Sequence, residues 1–254
     1  MRRLDGKAVF LTGAAGGIGS LVSERLRALG AHVTGIDRVP CPLADASIIA
    51  DLSDQAGLAA LGTKLAQQHV DILVNGAGFQ YFGPMAQQDA ANMWLGYVIN
   101  LVAPATLIAA VLPQMQARGD GQIASIGSVM GSINFPFFAA YSSSKAGLKG
   151  LCEGLRREVH GSGIAITYIA PRAVRTAFNN AEVNRFMALT GMAADDPNAV
   201  ADRIVKAIIT REKDVVIGGK EAIFTRLNAL LPRVVDAGLA GQTAKARVMF
   251  APGG

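Results

Sequence analysis

The chain has 254 residues, 51% of them hydrophobic and 17% charged, with 29 Gly, 10 Pro, 2 Cys and a formal charge of +5. So apolar a composition excludes intrinsic disorder, because enough surface can be buried to offset the entropy of ordering. Cys41 and Cys152 are too few for a disulfide framework or a cysteine zinc site, so a reducing, cytoplasmic setting is expected.

The longest weakly polar stretch, residues 98–112, holds 15 residues and contains Asn100, Pro104 and Thr106. That is short of the roughly 20 needed to span a bilayer. Residues 1–7 are basic, but no signal-peptide apolar region follows them. A soluble chain without stable membrane insertion is expected. The charge is uneven, with 8 Lys/Arg against 9 Asp/Glu up to Ser144 and 16 against 10 from Lys145 onward. These cations are scattered singly, without a basic run or interleaved aromatics, so nucleic acid is not an expected partner. An anionic cofactor or substrate is.

In chain order, residues 8–11 form a short apolar run ending in glycines, as a buried parallel strand does. Ile18, Leu21, Val22, Leu26 and Leu29 follow at helical spacing, with Gly30 as the stop. Residues 32–37 read as a second strand. Further strands are predicted at 48–50, 71–74, 122–126, 165–169 and 215–217, and helices at 91–115, 141–160 and 198–210. Strand and helix in alternation predict an α/β fold, a parallel sheet covered on both faces. No repeat or linker divides the chain, so one domain over 1–254 is expected.

Thr12-Gly13-Ala14-Ala15-Gly16-Gly17-Ile18-Gly19 lies between the first strand and the first helix. Glycines there permit a tight turn and close approach of a ligand, and the following helix points its N–H groups and positive dipole end at a phosphate. A merely structural turn is the alternative. Asp37 ends the second strand, 18 residues beyond Gly19, where a carboxylate accepts hydrogen bonds from the ribose hydroxyls and repels a 2′-phosphate. NAD is therefore favoured over NADP, with Arg38 next door softening the preference. An exposed strand-end Asp is the plainer reading. Tyr141 and Lys145 stand at i and i+4 on one helix face. A nearby fixed ammonium favours phenolate, and lowering the Tyr141 pKa toward neutrality, by about three units, corresponds to roughly 4 kcal/mol. Such a tyrosine exchanges a proton with an alcohol or ketone oxygen.

Together with Ser128, 13 residues before Tyr141, these motifs resemble the short-chain dehydrogenase/reductase family. Residues 12–19 fit its TGxxxGIG pattern, and Ser128, Tyr141 and Lys145 its triad. Asn100 fits the helix asparagine of its tetrad. Asp51 and Leu52 match the pair holding adenine, Asn75, Gly76, Ala77 and Gly78 the NNAG turn, and Pro171, Val174 and Thr176 the PGxVxT segment beside nicotinamide. The resemblance implies a Rossmann-type doubly wound sheet in three αβα layers. It implies that Gly13, Gly17, Ile18, Gly19, Asp37, Asp51, Leu52, Asn75, Ala77, Gly78, Tyr141, Lys145, Pro171, Val174 and Thr176 bind the dinucleotide. Tyr141 would be general acid/base, Lys145 would lower its pKa and hold the nicotinamide ribose, and Ser128 would bind the substrate oxygen. Asn100 would hold a water linked to Lys145. Hydride passes directly to or from nicotinamide, so no metal is expected.

Two residues depart from the pattern. Gly76 replaces the second Asn of NNAG, removing a strand brace, and Arg172 replaces the glycine after Pro171. Arg172 would contact cofactor phosphates or an anionic substrate, or else point into solvent. Residues 79–82, 135–138 and 178–192 fall where the family builds its substrate cleft, with 178–197 as cleft or lid. Their Phe and Met content suits a hydrophobic alcohol or ketone, although core packing explains some of it. An amphipathic segment at 220–239, within a 220–254 extension, would cap the cleft, pack on itself or a subunit, or lie on a membrane surface, with packing favoured. The helices at 98–115 and 141–160 match those through which relatives pair, which implies a homodimer or homotetramer. The expected activity is an NAD-dependent alcohol dehydrogenase or ketone reductase. The alternatives are an NADPH-dependent 3-oxoacyl reductase and, from another class, a non-catalytic dinucleotide sensor.

Overall fold

The computed structural model describes residues 4–250. All seven predicted strands form: β1 (Ala8–Thr12), β2 (His32–Asp37), β3 (Ala46–Ile49), β4 (Ile72–Asn75), β5 (Gly121–Ile126), β6 (Ile164–Pro171) and β7 (Asp214–Ile217). They pair in parallel as one sheet of order β3-β2-β1-β4-β5-β6-β7. Because side chains alternate across a strand, Val9 and Leu11 of β1 pack with α1 (Gly17–Ala28) and α7 (Pro197–Thr210). Phe10 between them packs on the opposite face with α2 (Gln55–Ala66), which the apolar pattern did not single out, and with the helices that follow β4 and β5. This is the Rossmann-type three-layer arrangement. β1 pairs with both β2 and β4, so strand order reverses there and a crevice opens beyond the strand ends, where ligands bind in such sheets.

The predicted helix at 91–115 is observed as α3 (Ala90–Tyr97), a π-helical turn at Val98–Val102, and α4 (Ala103–Arg118). The Ala103 N–H donates to the Val98 carbonyl, five residues back. Taken together, Ala90–Arg118 is 29 residues long, with a mean hydropathy of 2.0 over its most apolar stretch, and by length and composition is sufficient to cross a membrane. The 15-residue estimate was too short because the helix absorbs Asn100, Pro104 and Thr106 instead of ending at them. Its inner face, with Leu107, Val111 and Met115, is buried in the core.

α5 (Ala139–Glu158) follows β5, and α6 (Ala181–Thr190) follows β6. The predicted 220–239 segment is two helices, α8 (Gly219–Leu230) and α9 (Pro232–Arg247). Pro232 disfavours a helical residue before it, and Leu231 accordingly adopts φ −135°, ψ 63°. The inner face of α9 packs over α6, and Phe250 lies 5.4 Å from Phe82 and 4.8 Å from Phe137, centroid to centroid. Residues 251–254 of the extension, and residues 1–3 of the basic N-terminus, lie outside the described residues.

Candidate active site

At the end of β1 the backbone turns where a side chain has no room. Gly13 has φ +73°, and a Cβ there would come within 2.8 Å of the Ala77 backbone. One on Gly17 would lie 2.9 Å from the Thr176 methyl, and one on Gly19 would overlap the Gly13 carbonyl. α1 starts at Gly17 with no side-chain cap and no acid in its first turn, which leaves its leading N–H groups free for an anion. Asp37 accepts hydrogen bonds from Ala15 N (3.1 Å) and Arg38 N (2.7 Å), which fixes its carboxylate at the loop. Asp51, held by Ser53 N and Oγ at 2.8 and 2.7 Å, is kept below the usual carboxylate range by those bonds. A dinucleotide fits this glycine-lined cradle.

A cavity of about 480 Å³ runs along these residues. Gly13, Gly17, Ile18, Gly19, Asp37, Asp51, Leu52, Ala77, Gly78, Tyr141, Lys145, Pro171, Val174 and Thr176 all line it. Asn75 is a correction. It lies beneath the floor, 2% exposed, because β4 alternation turns it into the sheet layer, where Nδ2 donates to Ser125 Oγ at 3.3 Å. Gly76 is explained: a Cβ there would sit 2.7 Å from the Thr12 carbonyl oxygen. The brace expected of an asparagine comes instead from Thr12 Oγ1, which accepts from Gly76 N (3.1 Å) and Ala77 N (3.2 Å).

Ser128, Tyr141 and Lys145 are buried together on the same cavity wall. Ser128 follows β5 and caps a short turn, its Oγ accepting from Met130 N at 3.1 Å. Tyr141 and Lys145 lie one turn apart near the start of α5. Lys145 Nζ is 6.0 Å from the Tyr141 ring centroid and donates to the Ile126 carbonyl at 3.1 Å. The expected depression of the Tyr141 pKa does not hold in this arrangement. Burial pushes the phenol up to about 12, against a smaller opposing pull from Ser128, and pushes Lys145 down to about 8. The ammonium is aimed at the Ile126 carbonyl, and desolvation is the dominant cause at both groups.

Asn100, in the π-helical turn, is fully buried behind the cavity wall rather than on it. Its Nδ2 donates to Phe79 O (2.8 Å) and Ser144 Oγ (2.9 Å), and Oδ1 accepts from Phe79 N (2.9 Å). Both amide hydrogens are thus spent on joining the loop after β4 to α5. A water linked to Lys145 is left with only the backbone carbonyl or the second Oδ1 lone pair of Asn100.

Two interactions escaped the sequence. The Tyr168 phenol, on β6, donates to the Ser128 carbonyl (3.2 Å) and accepts from the Ser128 N–H (3.4 Å). The only local signal was the pair of glycines flanking Ser128: a Cβ on Gly127 would overlap the Tyr168 ring, and one on Gly131 would lie 3.0 Å from its hydroxyl. Arg172 lines the cavity and does not point freely into solvent. Its guanidinium bridges Asp195 (2.6 Å) and Glu221 (3.1 Å), so its charge is compensated, and it ties α8 to the segment before α7.

The predicted substrate segments divide. Phe79, Gln80, Phe135, Phe138, Phe178, Met187 and Met192 line the cavity. Phe82 and Phe186 instead pack behind it, with ring centroids 5.2 Å apart, and the Phe137 ring packs on Phe250 and Phe82.

The short chain dehydrogenase family pattern matches residues 7–185. The chain is 29% identical to dehydrogenase/reductase SDR family member 7B of Danio rerio, over 95% of this chain and 88% of that one. It is 31% identical to the ketoacyl reductase HetN of Nostoc sp., over 85% and 80%. Among solved structures, a short-chain dehydrogenase from Sphingobium yanoikuyae in complex with NADPH superposes with a TM-score of 0.78 at 26% identity, covering 91% of this chain and 95% of that one. The bulky-bulky ketone specific alcohol dehydrogenase from Comamonas testosteroni gives 0.74 at 26%, covering 91% and 94%. The glycine cradle, the buried Ser-Tyr-Lys wall and these matches converge, and the chain belongs to the short-chain dehydrogenase family of oxidoreductases.

Proposed function

We propose that the protein interconverts a hydrophobic secondary alcohol and its ketone, with NAD as hydride carrier. The observation that carries this reading is the burial of Ser128, Tyr141 and Lys145 side by side on a cavity whose other end is the glycine cradle. When bound, the nicotinamide supplies or receives the hydride. Tyr141 exchanges the proton with the substrate oxygen, and Ser128 donates a hydrogen bond to that oxygen as charge develops. Lys145 places a cation beside the ribose and the phenol, and Asn100 holds α5 and the loop after β4 in register. Gly13, Gly17 and Gly19 admit the pyrophosphate to the α1 N-terminus, and Asp37 takes the ribose hydroxyls.

Phe135, Phe138, Phe178 and Met187 on the cavity wall support an apolar substrate, with 178–197 as the lid of the same 1–254 domain. Family members are generally oligomeric. The exposed Trp94 and Tyr97, on the helix continuous with the predicted pairing surface, support a homodimer or homotetramer here. Two free, buried thiols are in keeping with a cytoplasmic setting.

The NAD preference rests on Asp37. A second reading, an NADPH-dependent 3-oxoacyl reductase, draws on Arg38 at the cavity wall and on the likeness to a ketoacyl reductase. Fluorescence titration with NADH and NADPH, followed by a coupled screen of hydrophobic secondary alcohols, ketones and 3-oxoacyl thioesters, decides between them. Tighter NADH binding and turnover of a simple ketone are expected. Tighter NADPH binding with turnover confined to thioesters selects the second reading, and dinucleotide binding with no turnover of any class would leave a sensor.

A further inference from the structure

We propose that the outward face of the α8–α9 hairpin docks reversibly on an anionic lipid surface. This rests on the hairpin alone and not on the reaction proposed above. A surface helix ordinarily buries its apolar stripe and shows its polar side to water. α8 does the reverse. Glu221 turns inward to Arg172 at 3.1 Å, and Asn228 Nδ2 donates to the Ser132 carbonyl at 2.8 Å. On the outward side Ile223 is 69% exposed, Phe224 49% and Leu230 79%, and Leu231 and Val234 at the turn are each 54% exposed. Residues 223, 227 and 230 follow helical spacing, so these side chains form one stripe running to the tip of the hairpin.

The charge around the stripe selects the occupant. Lys220, Arg226, Arg233, Lys245 and Arg247 are all exposed, and among the described residues none of them joins an ion pair. Of the hairpin carboxylates, Glu221 is held by Arg172, which leaves Asp236 alone in solvent. A second copy meeting this face about a two-fold axis would bring like charges together. A bilayer with anionic headgroups attracts the same cations while accepting the apolar side chains, the combination that holds an interfacial helix. Arg226 and Arg233 flank the tip and can lay their stems along the apolar surface with their charges at the headgroups. The hairpin thus carries five exposed cations without an ion pair among the described residues, whereas the charge of Arg172 is compensated. The sequence-based preference for packing holds for the inner face of α9, where Val235 and Ala246 are buried. The outer face has no packing partner among the described residues of this chain. Glu221, on the inner side of α8, also lines the catalytic cavity.

The test is flotation of the full chain with vesicles of mixed phosphatidylcholine and phosphatidylglycerol, and with phosphatidylcholine alone, at low and high salt. Binding to the mixed vesicles only, weakened by salt, is expected. Arg226→Gln with Arg233→Gln should reduce it about 25-fold, at about fivefold per cation. Leu230→Ser with Leu231→Ser should reduce it by about tenfold or more. Both variants should keep the thermal unfolding midpoint and the mass by light scattering. Failure to bind either vesicle, or equal binding to neutral ones, overturns the proposal. So does a mass that falls in the Leu230→Ser, Leu231→Ser variant while vesicles are ignored, which would identify a second copy as the occupant.

Discussion

The two ends of the cavity are built from different materials. The cofactor end is made of backbone: glycines whose missing Cβ atoms are the binding surface, the open N-terminus of α1, and the Thr12 hydroxyl tying β1 to β4. The end proposed to hold the substrate is made of side chains from the segments after β4, β5 and β6, namely Phe79, Phe135, Phe138, Phe178 and Met187. A backbone surface has few sequences that can make it, because only glycine tolerates such close approach. A side-chain surface of the same size has many, because apolar residues of similar volume replace one another at modest cost. One end is thereby fixed for a common ligand, and the other is free to vary with the substrate.

The largest expected effect falls where the two ends meet. Tyr141→Phe should lower kcat by roughly 10²–10⁴-fold while leaving dinucleotide affinity and the unfolding midpoint near wild type. Steady-state kinetics with calorimetric titration check this, and unchanged turnover would remove Tyr141 from the chemistry. Next, Gly19→Ala places a methyl group on the Gly13 carbonyl. Relieving that overlap should cost roughly 1–3 kcal/mol of dinucleotide binding; an unaltered Kd would mean the loop is not the rigid cradle described. Tyr168→Phe leaves the Ser128 N–H and C=O without their phenol partner. The cost should be about 1–2 kcal/mol, seen as a fall of about tenfold in kcat with cofactor KM unchanged. A purely structural tyrosine would lower the unfolding midpoint without touching kcat in the folded protein. The smallest effect is expected at the substrate end. Phe178→Leu should change KM among ketones of different bulk by less than about tenfold, with no effect on NADH affinity.

The same contrast governs what the sequence disclosed. Buried parallel strands are apolar runs closed by turn residues, and all seven were legible. The cofactor loop was legible because its constraint is local, imposed within residues 12–19. Contacts between distant segments were not. Tyr168 and Ser128 are 40 residues apart, and the glycines beside Ser128 show that something approaches closely without saying what. Arg172 was left between a ligand and solvent because Glu221, 49 residues on, carries no motif. The spacing of Tyr141 and Lys145 was read correctly, but their titration was not, since depth of burial belongs to the tertiary structure. α8 shows the limit of periodicity. Its stripe is apparent in the sequence, yet periodicity does not say which side faces the protein.

The π-helical turn at Val98–Val102 bears on how this helix can change its length. An α-helix advances about 100° per residue, and the turn holds one residue more than regular winding would. Upstream of it the helix presents Tyr97 to Ser143, with 2.6 Å between their hydroxyls; downstream, Leu107, Val111 and Met115 enter the core. These two faces keep their separate phases only because the extra residue lies between them. Losing one residue at this turn would convert it to ordinary helix with both faces still aligned, whereas adding one there would rotate one face away from its partners. Asn100 therefore stands at the position along this helix where a deletion is best tolerated mechanically, and where the chemistry of the site resists it most.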